Sequence, residues 1–221
     1  MNVLLLKAQS DEAKSETEDP YVSTLSHHNF HVRLIHSLDF QFHSLENLAE
    51  RLNGPNNYSG IVFTSPRCVK GVSEALKSTS YRLGGKIKPG SKPLLLPIGS
   101  LSSHKIHEKL KERGVAVEEL EVYKTVPHPA LKDQMEEVVK QNIPDVAVFF
   151  SPSGISFSKI HLISKLLSQS SYHFFFFQFI AIGPTTKRAL EDAGLPVAST
   201  SAKPNPDCLL DAINSALKEE S

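Results

Sequence analysis

The chain has 221 residues, 40% of them hydrophobic and 22% charged, a composition that excludes wholesale disorder and leaves room for one large or two small domains. Twenty-four basic residues balance 24 acidic ones, so no summed positive charge is available to hold nucleic acid or a membrane surface, and an acidic ligand needs local donors instead. Cys68 and Cys208 are too few for a disulfide framework or a four-thiolate zinc site, and they fit a reducing compartment.

In chain order, Val3–Leu6 reads as a buried first strand; the run stops at Lys7, too short for a signal-peptide core. Ser10 to Asp19 is a polar loop, and Pro20 suits the first turn of a helix through about His28. Phe30–Ile35 is a second strand. Leu38–Phe42 alternates strictly and leads to a helix over Leu45–Leu52 with Ser44 as its cap. Strand–turn–helix units then recur. Gly60–Phe63 leads to a helix over Cys68–Leu76, and Pro93–Pro97 to a helix over His104–Arg113 closed by Gly114. Val146–Phe150 leads to a helix over Ile155–Leu167, and Phe179–Ile182 to a helix over Lys187–Ala193 closed by Gly194. A last helix covers Asp207–Leu217. The apolar stretch Phe174–Ile182, broken at Gln178, is too short to span a bilayer, and its Phe174–Phe177 run reads as a core strand or an aggregation hazard.

Strands alternating with amphipathic helices predict an α/β fold with parallel sheets. Ile61–Arg67 lines up with Val148–Ser153 when Ser65-Pro66 is laid on Ser151-Pro152, which points to two similar α/β domains from a duplication. Glu121–Val126 alternates like a strand and leaves through the stiff Pro127-His128-Pro129. Pairing it with Leu38–Phe42 makes a two-stranded linker. The expected organisation is therefore a discontinuous first domain over 1–36 and 130–221, linker strands over 37–43 and 121–129, and a second domain over 44–120. Two consecutive domains is the plainer alternative.

The residues that carry chemistry are the strand-to-helix turns. In a parallel sheet, ligands gather at the carboxyl ends of the strands, where unpaired amides of helix N-termini attract carboxylate or phosphate. Thr64-Ser65, Ser100 to Ser103, Ser151 to Gly154 and Thr185-Thr186 all fall in such turns. Each taken singly reads as an N-cap for its own helix. Facing a common cleft, the set suits a ligand with many negative groups. There is no GxxxxGK[ST] loop, no GxGxxG after a strand and no GxSxG elbow, so the usual nucleotide and serine-hydrolase devices are not indicated. His27, His28 and His31 cluster in sequence, and His104 and His107 sit three apart on a predicted helix. With no HExxH these read as solvated faces and no metal site is expected. Tyr123 reads as a strand tyrosine packed by its ring, with a hydroxyl able to donate into a cleft.

Val3–Lys7, Val62–Arg67, Val122–Val126, Phe149–Gly154 and Ala181–Thr186 together resemble the animal type of the uroporphyrinogen-III synthase family, in order along nearly the whole chain. The resemblance implies two α/β domains joined by a two-stranded linker. It also implies a cofactor-free, monomeric, cytosolic lyase of haem biosynthesis that cyclises hydroxymethylbilane with loss of water and inversion of the fourth ring, with no nucleic-acid or membrane partner. By the same resemblance Tyr123 is the proton donor or hydrogen-bond partner of the leaving hydroxyl. Thr185, Thr186, Ser151, Ser153 and Gly154 bind substrate carboxylates, Ser65 and Arg67 contribute from the facing domain, and Tyr21 is a further cleft residue. The other reading of the same turns is a two-domain anion-binding protein without catalysis, or an inactive truncated form. One departure stands out. The family has a further strand, a Gly-x-x-Thr-Ala turn and a helix where this chain has only the basic linker Lys77–Lys92, so an internal deletion in the second domain is expected.

Overall fold

Four consecutive apolar residues at Val3–Leu6 have no polar face to offer water, and they form the middle of a strand covered on both sides. A computed structural model of the chain describes residues 1–9, 18–54, 57–77, 92–141, 144–169 and 177–218. In chain order the elements are β1 (Asn2–Ala8), α1 (Pro20–His27), β2 (His31–Phe42), α2 (Leu45–Asn53), β3 (Gly60–Ile61) and α3 (Pro66–Lys77). There follow β4 (Leu94–Gly99), α4 (Lys105–Glu112), β5 (Val117–Pro127), α5 (Leu131–Gln141), β6 (Val146–Phe149) and α6 (Pro152–Gln169). The last four are β7 (Gln178–Ala181), α7 (Pro184–Asp192), β8 (Val197–Thr200) and α8 (Pro206–Lys218). The chain divides into two compact units, Met1–Asp39 with Pro127–Ser221, and Phe40–Val126.

In the first unit the strands lie in the order β2-β1-β6-β7-β8, and every pairing is parallel, with Leu5 beside both Leu34 and Val148 and Val148 beside Ile180. Successive side chains leave a strand on opposite faces. Leu4, Leu6, Phe149 and Phe179 therefore pack on one side with Leu131 and Met135 of α5 and Leu190 of α7. Val3, Leu5, Val148 and Ile180 pack on the other with Leu25 of α1 and Leu209 and Ile213 of α8. Each fully buried leucine or phenylalanine contributes about 1.5–3 kcal/mol.

In the second unit β3, β4 and β5 are parallel, with Ile61 beside Leu95 and Leu95 beside Glu118, and His43 at the end of β2 donates its N–H to Val122 O at 3.0 Å. Leu48 and Leu52 of α2 and Val72 and Ala75 of α3 cover Leu95, Leu120 and Val122. Pro97 sits inside β4, where a missing N–H would ordinarily break a ladder. Leu95 O accepts from Val62 N and Leu94 N donates to Ala116 O, so Pro97 faces the β3 side. It lies beyond the last β3 pairing, that of Ile61 with Leu95, and no strand bond is lost.

Several expectations change. β2 is one unbroken strand rather than two, because nothing between Ile35 and Leu38 forces a turn. β3 is shorter than Gly60–Phe63. Ser44 does not cap α2: it takes a left-handed conformation (φ 55°), and its hydroxyl lies 2.8 Å from His43 Nδ1. The helix α5 and the strand β8 were not expected. Gly114 and Gly194 follow α4 and α7 with φ of 73° and 74°, the left-handed stop that glycine accepts without strain. Residues 78–91, where the deletion is expected, and Phe174–Phe176 lie outside the described residues; Phe177 is buried in the first unit's core. Among the described residues no helix is long and apolar enough to cross a membrane.

Candidate functional site

The parallel strands of the second unit send the turns after β3 and β4 to the same end as the last residues of β5. There they enclose a cavity of about 290 Å³. Thr64 and Ser65 line it from the β3–α3 turn, Ser102 and Ser103 from the β4–α4 turn, His107 from α4, and Tyr123 from β5.

Tyr123 is held by its ring and left adjustable at its hydroxyl. The ring meets Phe40 and Phe42 edge-on, at centroid separations of 5.9 and 6.3 Å. Its Oη is 3.4 Å from Ser65 Oγ, longer than the roughly 2.5–3.0 Å of a well-formed O–H···O bond, so the phenolic proton is not committed there. Ser65 is held more firmly. Its Oγ accepts from the amide of Cys68 at 3.2 Å, as an N-cap does, and lies 3.2 Å from Cys68 Sγ, to which it donates. The Cys68 thiol in turn donates to Pro97 O at 3.0 Å. Arg67 lays its guanidinium 3.4 Å from the Phe40 ring centroid, and its buried Nε has no hydrogen-bond partner among the described residues. Its place is against the aromatic wall of Phe40, not in the lining of this cavity.

Of the histidines expected on solvated faces, His104 and His107 stay partly open to solvent and also share a carboxylate partner. His104 Nδ1 donates to Glu119 Oε2 at 2.8 Å, and His107 Nδ1 lies 3.2 Å from Oε1 of the same carboxylate, out of hydrogen-bond alignment. Glu119 escaped the sequence reading because its strand runs Glu118-Glu119 with no motif around it; only the fold brings it under α4. No group of three His, Cys, Asp or Glu among the described residues could hold a metal ion.

In the first unit the turns after β6 and β7 lie at the carboxyl ends of the parallel strands. Ser151 caps α6, its Oγ accepting from Gly154 N at 3.0 Å, and Ser153 is half-buried one residue before Gly154. Gly154 is tightly framed: a Cβ there would stand 3.1 Å from Ser37 Oγ and 3.2 Å from Ser151 Oγ. Ser37 Oγ is fully buried with no partner among the described residues. Gly183 precedes α7 and brings no side chain to cap it, which leaves the first amides of α7 without a side-chain cap among the described residues; Thr185 is exposed there and Thr186 is 4% exposed. Tyr21 is buried in the core, edge-on to Phe150 at 4.8 Å. The Lys7 ammonium sits 4.8 Å from the Tyr21 ring centre and 5.6 Å from that of Phe150 while pairing with buried Asp19. Burial, and secondarily the charge of Asp19, push the Tyr21 phenol above its ordinary range. The expected residues thus fall into two sets: Tyr123 with Ser65 and, beside them, Arg67 in one unit, and Ser151, Ser153 and Gly154 with Thr185, Thr186 and Tyr21 in the other.

A family model described as uroporphyrinogen-III synthase HemD matches residues 80–211. Uroporphyrinogen-III synthase of Saccharomyces cerevisiae is 32% identical over 128 residues, 54% of this chain and 44% of the yeast protein, so the match spans less than half of that relative's length. Two crystal structures share the fold at low identity. One is a mutant uroporphyrinogen III synthase of the extremely thermophilic bacterium Thermus thermophilus, with a TM-score of 0.61, 14% identity and 99% of both chains covered. The other is the uroporphyrinogen-III synthetase of Helicobacter pylori, with a TM-score of 0.64, 15% identity, 97% of this chain and 98% of that one.

Proposed function

The chain belongs to the uroporphyrinogen-III synthase family, and we propose on that premise that it is a lyase that cyclises hydroxymethylbilane to uroporphyrinogen III. The observation that best supports this is Tyr123, a phenol lining a cavity at the carboxyl ends of three strands, 3.4 Å from a serine hydroxyl and bound firmly to nothing among the described residues.

Tyr123 O–H donates its proton as the terminal hydroxyl of the bilane departs. The carbon–oxygen bond breaks with its electron pair going to oxygen, which leaves as water, and the pyrrole nitrogen lone pair supplies the new double bond of an azafulvene cation. Closure through a spiro intermediate inverts the fourth ring, and the proton lost when the macrocycle rearomatises returns to the phenolate. General-acid assistance of this kind contributes on the order of 10²–10⁴ in rate. The remainder is positioning, because unguided closure gives the uninverted isomer. Ser65 orients the phenol. Ser151, Ser153, Gly154, Thr185 and Thr186 hold substrate carboxylates through hydroxyls and helix-start amides, Arg67 offers a cation, and Tyr21 acts from beneath by steadying Lys7. The reaction runs without a cofactor, in the cytosol, on a monomer, and an internal deletion between Lys77 and Lys92 belongs to the same proposal.

Incubation with freshly prepared hydroxymethylbilane, followed by separation of the product isomers, tests this. Type III product above the spontaneous background, reduced in the Tyr123→Phe protein, is the expected result. Type I product alone, with tight binding of the tetrapyrrole, makes the chain a non-catalytic binder and overturns the proposal.

A further inference from the structure

We propose that His104 and His107 are specificity residues of the Tyr123 cavity, binding an acidic side chain of the tetrapyrrole as imidazolium ions oriented by Glu119. This rests on the tetrapyrrole reading above and adds residues that none of the turn motifs contains.

His104 occupies the position preceding α4, yet its side chain makes no capping bond to that helix. It holds φ 52° and spends its Nδ1 on Glu119 at 2.8 Å, while His107, one turn on, brings its own Nδ1 to 3.2 Å from the second oxygen of the same carboxylate. Glu119 is largely covered, its side chain 18% exposed, whereas His104 and His107 keep 55% and 32% of theirs open. A carboxylate cannot donate, so Nδ1 of His104 carries hydrogen toward Glu119 and the ring's other nitrogen, Nε2, is left for solvent or ligand. The two imidazoles, His104 hydrogen-bonded to this half-buried carboxylate and His107 beside it, form a preset pair that gains two N–H donors when protonated. The other titratable side chains lining the cavity are Lys105, Glu119 and Tyr123. With both rings charged, three cations surround one carboxylate, and the surplus suits an incoming carboxylate. Leu101 and Ile106, 64% and 44% exposed, line the same cavity and offer apolar contact for a flat ring. An acid-bearing pyrrole combines both demands.

The test compares the wild-type protein with the His104→Gln/His107→Gln double variant in steady-state formation of uroporphyrinogen III. The expected result is a KM raised roughly tenfold, the scale of one lost charge-assisted hydrogen bond at a partly exposed site, with kcat within about twofold. In parallel, the imidazole ¹⁵N resonances of the wild-type protein are followed on adding uroporphyrin III; Nε2 shifts at both histidines support the assignment even where the variant fails to fold. Type III product with an unchanged KM in the variant, or unshifted Nε2 resonances beside demonstrable uroporphyrin binding, overturns the histidine assignment alone. Type I product from the wild-type protein overturns the enzymatic reading, and uroporphyrin affinity of wild type against variant then decides the histidines separately: equal affinity overturns them, and weaker binding by the variant supports them.

Discussion

A Cβ on residue 99 would stand 2.6 Å from the hydroxyl oxygen of Tyr123 and closer still to its Cζ. Gly99 is therefore the floor on which the phenol rests, 24 residues earlier in the chain and at a register shift between β4 and β5. A methyl group there cannot be accommodated by a small rotation, because Phe40 and Phe42 hold the ring from other sides. Gly99→Ala should cost about 1–3 kcal/mol of stability by overpacking and lower kcat by moving the hydroxyl. Adding Gly99→Ala to Tyr123→Phe should lower kcat little further, since residues that act as one unit are not additive. Denaturant midpoints and isomer-resolved turnover for the two single variants and the double variant check both claims.

Tyr123→Phe keeps the ring and its aromatic contacts and removes one oxygen. Stability should change by less than about 1 kcal/mol, while kcat falls by about 10² or more and KM stays within a few-fold. Ser65→Ala should show the reverse balance. It strips the acceptor from the Cys68 amide, a cap loss of about 1 kcal/mol, and slows turnover only moderately. A Ser65→Ala protein slower than Tyr123→Phe would exchange the two roles.

Asp19 does two jobs within the first unit. It caps α1 by accepting from Tyr21 N at 2.9 Å, and it balances the Lys7 ammonium between two aromatic rings. Asp19→Ala should cost about 3 kcal/mol, most of it from the ammonium left without its counter-charge. Replacing Lys7 by Met in the same protein should recover part of the loss. A double variant no more stable than Asp19→Ala alone, in urea unfolding, contradicts this account.

The raised Tyr21 phenol gives a signed pH dependence. The unfolded chain releases this proton near its ordinary value of 10.0, and the folded chain only at higher pH, because burial and then Asp19 disfavour phenolate. The folded state thus binds more protons in that window. Its contribution is fully present below the unfolded value and is lost as pH rises from there toward the folded one. Tyr21→Phe should lower stability at neutral pH less than it flattens the alkaline fall, so the gap between wild type and variant narrows above about pH 10. Midpoints of chemical unfolding across that range give the answer.

Local chemistry made much of this architecture legible. Val3–Leu6, Val146–Phe149 and Phe179–Ala181 could only be covered strands, and Gly114 and Gly194 marked helix ends that the backbone angles repeat. The helix α5 carried its own signal, Leu131, Met135 and Val138 at helical spacing, but the prolines at 127 and 129 drew attention to an extended exit. The strand β8 is half-buried throughout and has no apolar run to announce it. The turn hydroxyls could be named as candidates, and Ser65 and Ser151 indeed cap their own helices, yet capping did not distinguish which of them meets a tyrosine. Contacts such as Ser65 with Tyr123, 58 residues apart, and His104 with Glu119 depend on register across parallel strands, which no short window contains. Gly99 reads from the sequence as part of the turn after Pro97, because its strand neighbour Tyr123 is set by that same register.

Pro97 also bears on what this protein avoids. Past Ile61 the flank of β4 would otherwise present a row of donors and acceptors, the surface along which one chain zips onto another. At residue 97 the ring has no hydrogen to give, and its carbonyl is already taken by the Cys68 thiol. An intruding strand finds no donor at that position, which blunts the flank of β4 as a template for pairing.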